Sequence, residues 1–208
     1  MDPTFQLDSI DSTMQADVIA AALHSDGWCV HPNFFDATTT TTLLADCLRQ
    51  RSVFTAAAVG RAGARQQLFD QRRDSTLWLH ADTPVQSDFL RAMEVLRVQL
   101  NRHLYLGLFD YEAHYAHYAP DAFYRRHRDA FTAQAATEAA PKRSVSSVFY
   151  LNSSAPGGEL LLWHDDKPLA QIEPIAGTAV FFLSAEFPHE VLPTQADRYS
   201  IAGWFRGR

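Results

Sequence analysis

The sequence predicts an α+β fold: a double-stranded β-helix, or jelly roll, supported by helices at its N-terminal end. Two observations carry that expectation. After Phe109 the chain breaks into eight short segments rich in Val, Phe, Tyr and Leu, divided by the turn clusters APDA, NSSAPGG, DDKP and AGT, the pattern of a double-sheet barrel. Before it, apolar residues recur at spacings of three and four, the period of helices. The expected division is a helical support with a mobile loop over residues 1–107, packed on a jelly-roll core over residues 108–208.

In chain order, Ser12-Thr13 precede an amphipathic stretch through Ala16–Leu23, which Asp26-Gly27 ends as a turn. Trp28-Cys29-Val30 reads as a short strand. Thr38–Arg51 is expected as a helix with Leu43, Leu44, Cys47 and Leu48 on one face, although β-branched threonines propagate helices poorly. The stretch TAAAVGRAGARQQ, 55–67, is small, Gly-containing and basic, and is expected as a mobile loop. Ser87–Leu106 is the clearest helix, with Phe89, Met93, Leu96, Leu100 and Leu104 on one stripe. The eight expected strands are EAHYAHY, AFYRRHRD, SVSSVFYLN, ELLLWH, AQIEPI, TAVFFLS, HEVLP and RYSIAGWF.

Composition removes several function classes. A chain of 208 residues with 47% hydrophobic content and a net charge of −6 is an ordinary globular protein, not a phosphate-backbone binder. Arg61, Arg65, Arg72 and Arg73 read as a solvated basic face. Two cysteines, Cys29 and Cys47, make neither a disulfide framework nor a Cys-based zinc motif. The acidic start MDPTFQLDSID lacks the order of a signal peptide, and no apolar run approaches the ~20 residues of a membrane span. The expected address is the cytoplasm, without membrane or nucleic-acid partners and as a monomer.

Side chains two apart on a strand share a face, so His127 and Asp129 in FYRRHRDAF can converge. Arg126 and Arg128 then fall on the opposite face, and Arg125 one pleat away. The spacing alone is weak: His164-Asp165-Asp166 repeats it, but between ELLLW and Lys167-Pro168 that copy reads as an exposed hairpin turn. His189 in FPHEVLP supplies a third ligand from another strand, and two imidazoles with one carboxylate suit ferrous iron with open positions. Each histidine could instead be a buried or capping residue. Arg198, nine residues after His189, is placed to clasp a carboxylate, or to form a surface ion pair with Asp197. His114 and His117 point to opposite faces if their segment is a strand, and read as structural.

These residues together resemble the Fe(II)/2-oxoglutarate dioxygenases, and more narrowly their prolyl 4-hydroxylase-like branch, which includes oxygen-sensing prolyl hydroxylases and bacterial relatives. FYLN (149–152), GGEL (157–160) and PHEVLPTQADRYSI (188–201) carry the resemblance, with Arg72-Arg73-Asp74…Trp78 as an upstream element in which arginine replaces a glycine. The resemblance spans about residues 50–206. It implies His127, Asp129 and His189 as iron ligands, and Arg198 and Tyr150 on the far carboxylate of 2-oxoglutarate. Tyr118 would stand beside the iron, although the loop after it is one residue shorter than the family pattern. It further implies Fe(II), 2-oxoglutarate and O₂, with L-ascorbate as reductant, and hydroxylation of a prolyl residue in a protein or peptide with release of succinate and CO₂. The segment Val59–Gln67 would cover the substrate. The same iron site acting on a small molecule or free amino acid, or a non-catalytic jelly-roll binding module, are the competing readings.

Overall fold

The computed structural model describes residues 12–57, 69–130, 142–154 and 156–207. The elements are α1 (Ser12–Ser25), β1 (Trp28–His31), α2 (Ala37–Arg49), β2 (Thr55–Ala56), β3 (Ser75–Trp78), α3 (Pro84–Leu104), β4 (Asp110–Tyr118), β5 (Tyr124–His127), β6 (Lys142–Tyr150), β7 (Leu160–His164), β8 (Lys167–Ile172), β9 (Ala179–Leu183), β10 (His189–Val191) and β11 (Arg198–Gly207). All eight strands expected after Phe109 form.

The helices start where the chain supplies caps. Asp36 Oδ1 accepts from Thr39 N (2.7 Å) at the head of α2. The threonine run is accommodated because Thr40, Thr41 and Thr42 each donate their hydroxyl to the carbonyl four residues back, at 2.7–2.8 Å. α3 begins three residues before its expected start: Thr83 accepts from Gln86 N (3.1 Å) and Pro84 takes the first helical position. It ends on Tyr105 in the left-handed region (φ 53°).

Two antiparallel sheets face each other. The larger runs β1-β9-β6-β11-β4-β3-β2 and the smaller β5-β10-β7-β8. β7 and β8 are joined at Asp165 and Asp166, both with positive φ (47° and 59°), the hairpin turn expected for the second His-x-Asp copy. Strands β1, β2 and β3 come from before residue 107, so the N-terminal part contributes both edges of the larger sheet as well as helices. β2 occupies the first residues of the stretch expected as a mobile loop; the substrate cover expected over Val59–Gln67 lies outside the described residues.

Alternation on the large sheet makes two separate cores. One face carries Tyr115, Phe149, Phe181, Ile201 and Phe205 against Ile19, Leu43, Phe89 and Leu100 of the helices. The other carries Ala116, Tyr150, Val180 and Phe182 against Leu160, Leu162 and Val191 of the small sheet. The second core is left open at one end, and there the candidate site lies.

Candidate active site

β5 and β10 pair so that His127 stands opposite His189. β5 stops at His127, and Asp129 sits on the bend just beyond it, not on the strand as expected. The three still converge. Asp129 Oδ1 is 3.6 Å from His127 Nε2 and Oδ2 is 3.5 Å from His189 Nε2. One ligand atom from each lies within 4.8 Å of the others, the separation that a single ion spans.

The surrounding groups fix the orientation of this trio. His127 Nδ1 faces the Arg125 carbonyl (2.8 Å) and His189 Nδ1 the Phe187 carbonyl (3.2 Å). A carbonyl only accepts, so Nδ1 carries a proton on both rings and Nε2 is the atom each ring turns toward Asp129. Ser146 of β6 donates to Asp129 Oδ2 (2.7 Å), and Ser184 stands behind Ser146 (2.8 Å). Burial would raise the Asp129 carboxyl, but His189 and His127 outweigh it and hold it well below the usual range. Burial and the neighbouring His127 push His189 down to about 4. Asp129 is therefore a carboxylate and His189 a neutral imidazole, protonation states that a hard-to-borderline divalent ion requires of its ligands.

From the trio a cavity of about 500 Å³ extends to Arg198 at the start of β11. Arg198 is 1% exposed, makes no ion pair with Asp197, and spends one donor on Ser200 Oγ (3.1 Å). Asp197 pairs instead with His117 (2.5 Å). The guanidinium lies 4.9 Å from the Tyr118 ring and 5.0 Å from the Tyr150 ring. Burial raises both phenols, so each keeps its proton and can donate. Arg198 Nε and the Tyr150 hydroxyl are buried with no protein partner. Adjacent orphaned donors, one cationic and one neutral, fit an anionic oxygen ligand such as the carboxylate of a 2-oxo acid. Gly158 makes room: with φ +75°, a Cβ there would come within 2.9 Å of the Arg198 side chain.

All six residues singled out from the sequence lie in or against this one cavity. Four further features of the cavity were not expected there. Trp78 (β3), His114 (β4) and Trp204 (β11) form an aromatic wall, with His114 at 5.1 and 5.4 Å from the two indoles. His114 is thus a cavity residue, not merely a structural one, and burial pushes it down to about 4. Arg143 stacks on Trp204 at 3.5 Å. Arg72 grips Asp74 through two bonds (2.7 and 2.5 Å), lies 4.1 Å over Tyr124, and lines the cavity instead of a solvated face. Arg128, expected on the far side of a strand, reaches the cavity rim because the strand has already ended. The signal for His114 and Trp204 was present: they share strand parity with Tyr118 and Arg198.

Comparison with known proteins agrees with this chemistry. The family model of the 2OG-Fe(II) oxygenase superfamily matches residues 113–206. A Pseudomonas putida prolyl-4-hydroxylase is similar at 35% identity, covering 93% of this chain and 99% of that one, with a TM-score of 0.80. A Trichoplax adhaerens prolyl hydroxylase, solved with a hypoxia-inducible-factor peptide, shares the fold at 24% identity, 99% and 94% coverage and a TM-score of 0.80. A viral collagen prolyl hydroxylase of Paramecium bursaria Chlorella virus-1, solved with 2OG, shares it at 18% identity, 89% and 98% coverage and a TM-score of 0.64. No curated protein sequence matches significantly. Among the described residues no helix is long and apolar enough to cross a membrane. With a relative at this identity spanning nearly the whole of both chains, the protein belongs to the 2OG-Fe(II) oxygenase superfamily, in its prolyl-hydroxylase-like branch.

Proposed function

We propose that this dioxygenase hydroxylates a prolyl residue of a protein or peptide, with His127, Asp129 and His189 holding Fe(II) and Arg198, Tyr150 and Tyr118 holding 2-oxoglutarate. The observation that carries the cosubstrate assignment is the pair of orphaned buried donors, Arg198 Nε and the Tyr150 hydroxyl. Support for a prolyl target comes from the similar Pseudomonas prolyl-4-hydroxylase and from the aromatic wall of Trp78, Tyr124 and Trp204, which suits an aliphatic ring.

When bound, the iron with 2-oxoglutarate and O₂ supplies the oxidising chemistry, releasing succinate and CO₂ as one oxygen atom enters the C–H bond. The chain's own part is placement. Both Nδ1–H groups are tied to backbone, which fixes the ring planes and leaves Nε2 of each imidazole as the atom that would meet the metal. Ser146 fixes which carboxylate oxygen of Asp129 turns inward. Arg198 neutralises a carboxylate in a site shielded from water, where a charge-assisted bond is strongest. Tyr118 closes the wall beside it. The indoles and Tyr124 exclude water around the reacting residue. The same reading carries ascorbate as the reductant that keeps iron ferrous, a cytoplasmic address and a monomeric state, with residues 1–107 supporting the core of 108–208.

Purified protein with Fe(II), 2-oxoglutarate and proline-centred peptides tests this. Succinate should appear with a peptide product 16 Da heavier, as one added oxygen requires, and omission of ascorbate should shorten the time over which turnover lasts. Succinate coupled only to oxidation of a free amino acid or other small molecule would replace the prolyl reading. Absence of iron binding would leave a non-catalytic module.

A further inference from the structure

Segment 71–73 runs beside β5 at the mouth of the cavity: Arg73 N donates to Phe123 O (2.9 Å) and Arg125 N to Gln71 O (2.8 Å). This pairing sets Arg72 and Arg73 beside the run Arg125, Arg126 and Arg128, and of these five Arg72 and Arg128 line the cavity itself. Two of them are neutralised, Arg72 by Asp74 and Arg126 by Asp166, each at 2.5 Å. Arg73, Arg125 and Arg128 have no carboxylate partner among the described residues. Arg73 and Arg125 each give one N–H to a backbone carbonyl, Phe69 O at 3.2 Å and Asp70 O at 2.6 Å. Both guanidiniums also lie over the single ring of Phe123, at 5.0 and 5.1 Å. Arg128, next to His127, is exposed and forms part of the cavity rim.

An acidic chain does not gather uncompensated cations by composition alone; its net charge is −6. Arg73 and Arg125, held over one ring, repel one another, and an incoming anion relieves that repulsion. The backbone bonds and the shared ring pre-orient two of the forks, so less side-chain freedom is lost when a carboxylate arrives. A cavity of about 500 Å³ accommodates the reacting residue but not the chain on either side of it, so flanking residues must cross the mouth.

We propose that Arg73 and Arg125 on Phe123, with Arg128 at the rim, dock an acidic stretch of the protein substrate beside the residue to be hydroxylated. The inference rests on the peptide-hydroxylase reading and extends it to substrate charge. A nucleic acid is the weaker occupant, because backbone binders track phosphates along an extended basic surface, and this ridge is three residues in an acidic protein.

The test uses the full chain with Fe(II) and 2-oxoglutarate, kept anaerobic so that peptides bind without turnover. The probes are labelled proline-centred peptides flanked by Glu, Gln or Lys, read by fluorescence anisotropy. Glu-flanked peptides should bind at least about tenfold tighter than Lys-flanked ones at ~50 mM salt, with the preference shrinking toward ~0.5 M. The Arg73→Gln/Arg125→Gln variant should lose most of that ratio, and Arg125→Glu should move it toward Lys. Taking the ratio within one protein cancels any loss of folded material. Equal binding of Glu and Lys peptides, or a preference that survives Arg73→Gln/Arg125→Gln/Arg128→Gln, overturns the ridge. So does a single-stranded oligonucleotide that displaces the Glu peptide at equal salt. Once O₂ is admitted to the same samples, hydroxylation of the peptides without charge preference would sink the ridge alone. Succinate production with no peptide bound or modified would sink the peptide reading as well.

Discussion

The two faces of the seven-stranded sheet are built from the same strands and serve opposite ends. On β11, Tyr199, Ile201 and Phe205 face the helices, while Arg198, Ser200 and Trp204 face the cavity. The helix side is closed by Phe34, Phe35, Phe89, Phe149 and Phe181, whose ring centroids lie between 4.9 and 6.1 Å apart. The cavity side keeps a buried arginine, orphaned donors and a carboxylate among imidazoles. A period of two lets one strand separate stability from chemistry with no extra elements. Substitutions on the two faces should therefore break different things.

The largest expected effect is on the cavity side. His189→Ala should abolish iron-dependent succinate release and cut iron affinity by more than ~100-fold, since even partners outside a ligand set cost ~10–100-fold. Metal titration and succinate assays check it; stoichiometric iron binding by the variant would place the ion elsewhere. Next comes the helix side. Phe149 touches the rings of Phe34, Phe35, Phe89 and Phe181 and is fully buried. Phe149→Ala should cost ~3–5 kcal/mol in urea unfolding, with turnover per folded molecule nearly unchanged. A loss of specific activity equal to the loss of stability would erase the distinction between the faces.

His114 sharpens the comparison, because it is a cavity-face residue that should lower stability in acid. Its value of about 4 in the folded chain lies below the ordinary 6.5, chiefly through burial. Between those values the unfolded chain binds the extra proton, so stability is lost progressively as pH falls through that window and changes no further through His114 below about 4. The span corresponds to ~3 kcal/mol. His189 titrates in the same direction in metal-free protein. The measurement is therefore the difference in urea midpoint between wild type and His114→Gln from pH 4 to 7, which should narrow as pH falls. Parallel curves would exclude a titrating His114.

The cavity face was also the more legible in sequence, for physical reasons. His127, Asp129, His189 and Arg198 are chemically demanding residues at strand-compatible spacings, and the eight turn-bounded segments placed them on a rolled sheet. Strand β3 was not legible. Its partner on β4 is distant in sequence, with Leu77 opposite Tyr115, and a four-residue STLW run has no local signal strong enough to announce such a pairing. The parity argument failed at Arg128, where it assumed a strand that stops one residue earlier. It is also broken within β5, since Tyr124 and His127 both line the cavity though three apart. The register shift between His189 and Val191 of β10 accounts for that, and irregular pairing of this kind leaves no trace in an alternation pattern.

The smallest expected effect tests whether the helix side can be perturbed from its edge without reaching the site. α2 contributes Leu43 and Cys47 to the helix-side core, and its buried Asp46 accepts from the Tyr115 hydroxyl (2.9 Å). What starts that helix is the Asp36 carboxylate, which accepts from Thr39 N, a bond that together with the Thr39 hydroxyl lowers the Asp36 pKa. Asp36→Ala should cost ~1 kcal/mol, and Asp36→Asn a fraction of that because the amide oxygen still accepts. The Asp36 carboxylate contributes above its unfolded value and is lost as pH falls through the lower folded one, so wild type and Asp36→Asn should converge in strong acid. Affinity for 2-oxoglutarate should not move in either variant. A shift there would mean that Asp46 and Tyr115 transmit strain through β4 to Tyr118, and that the two faces of the sheet are coupled after all.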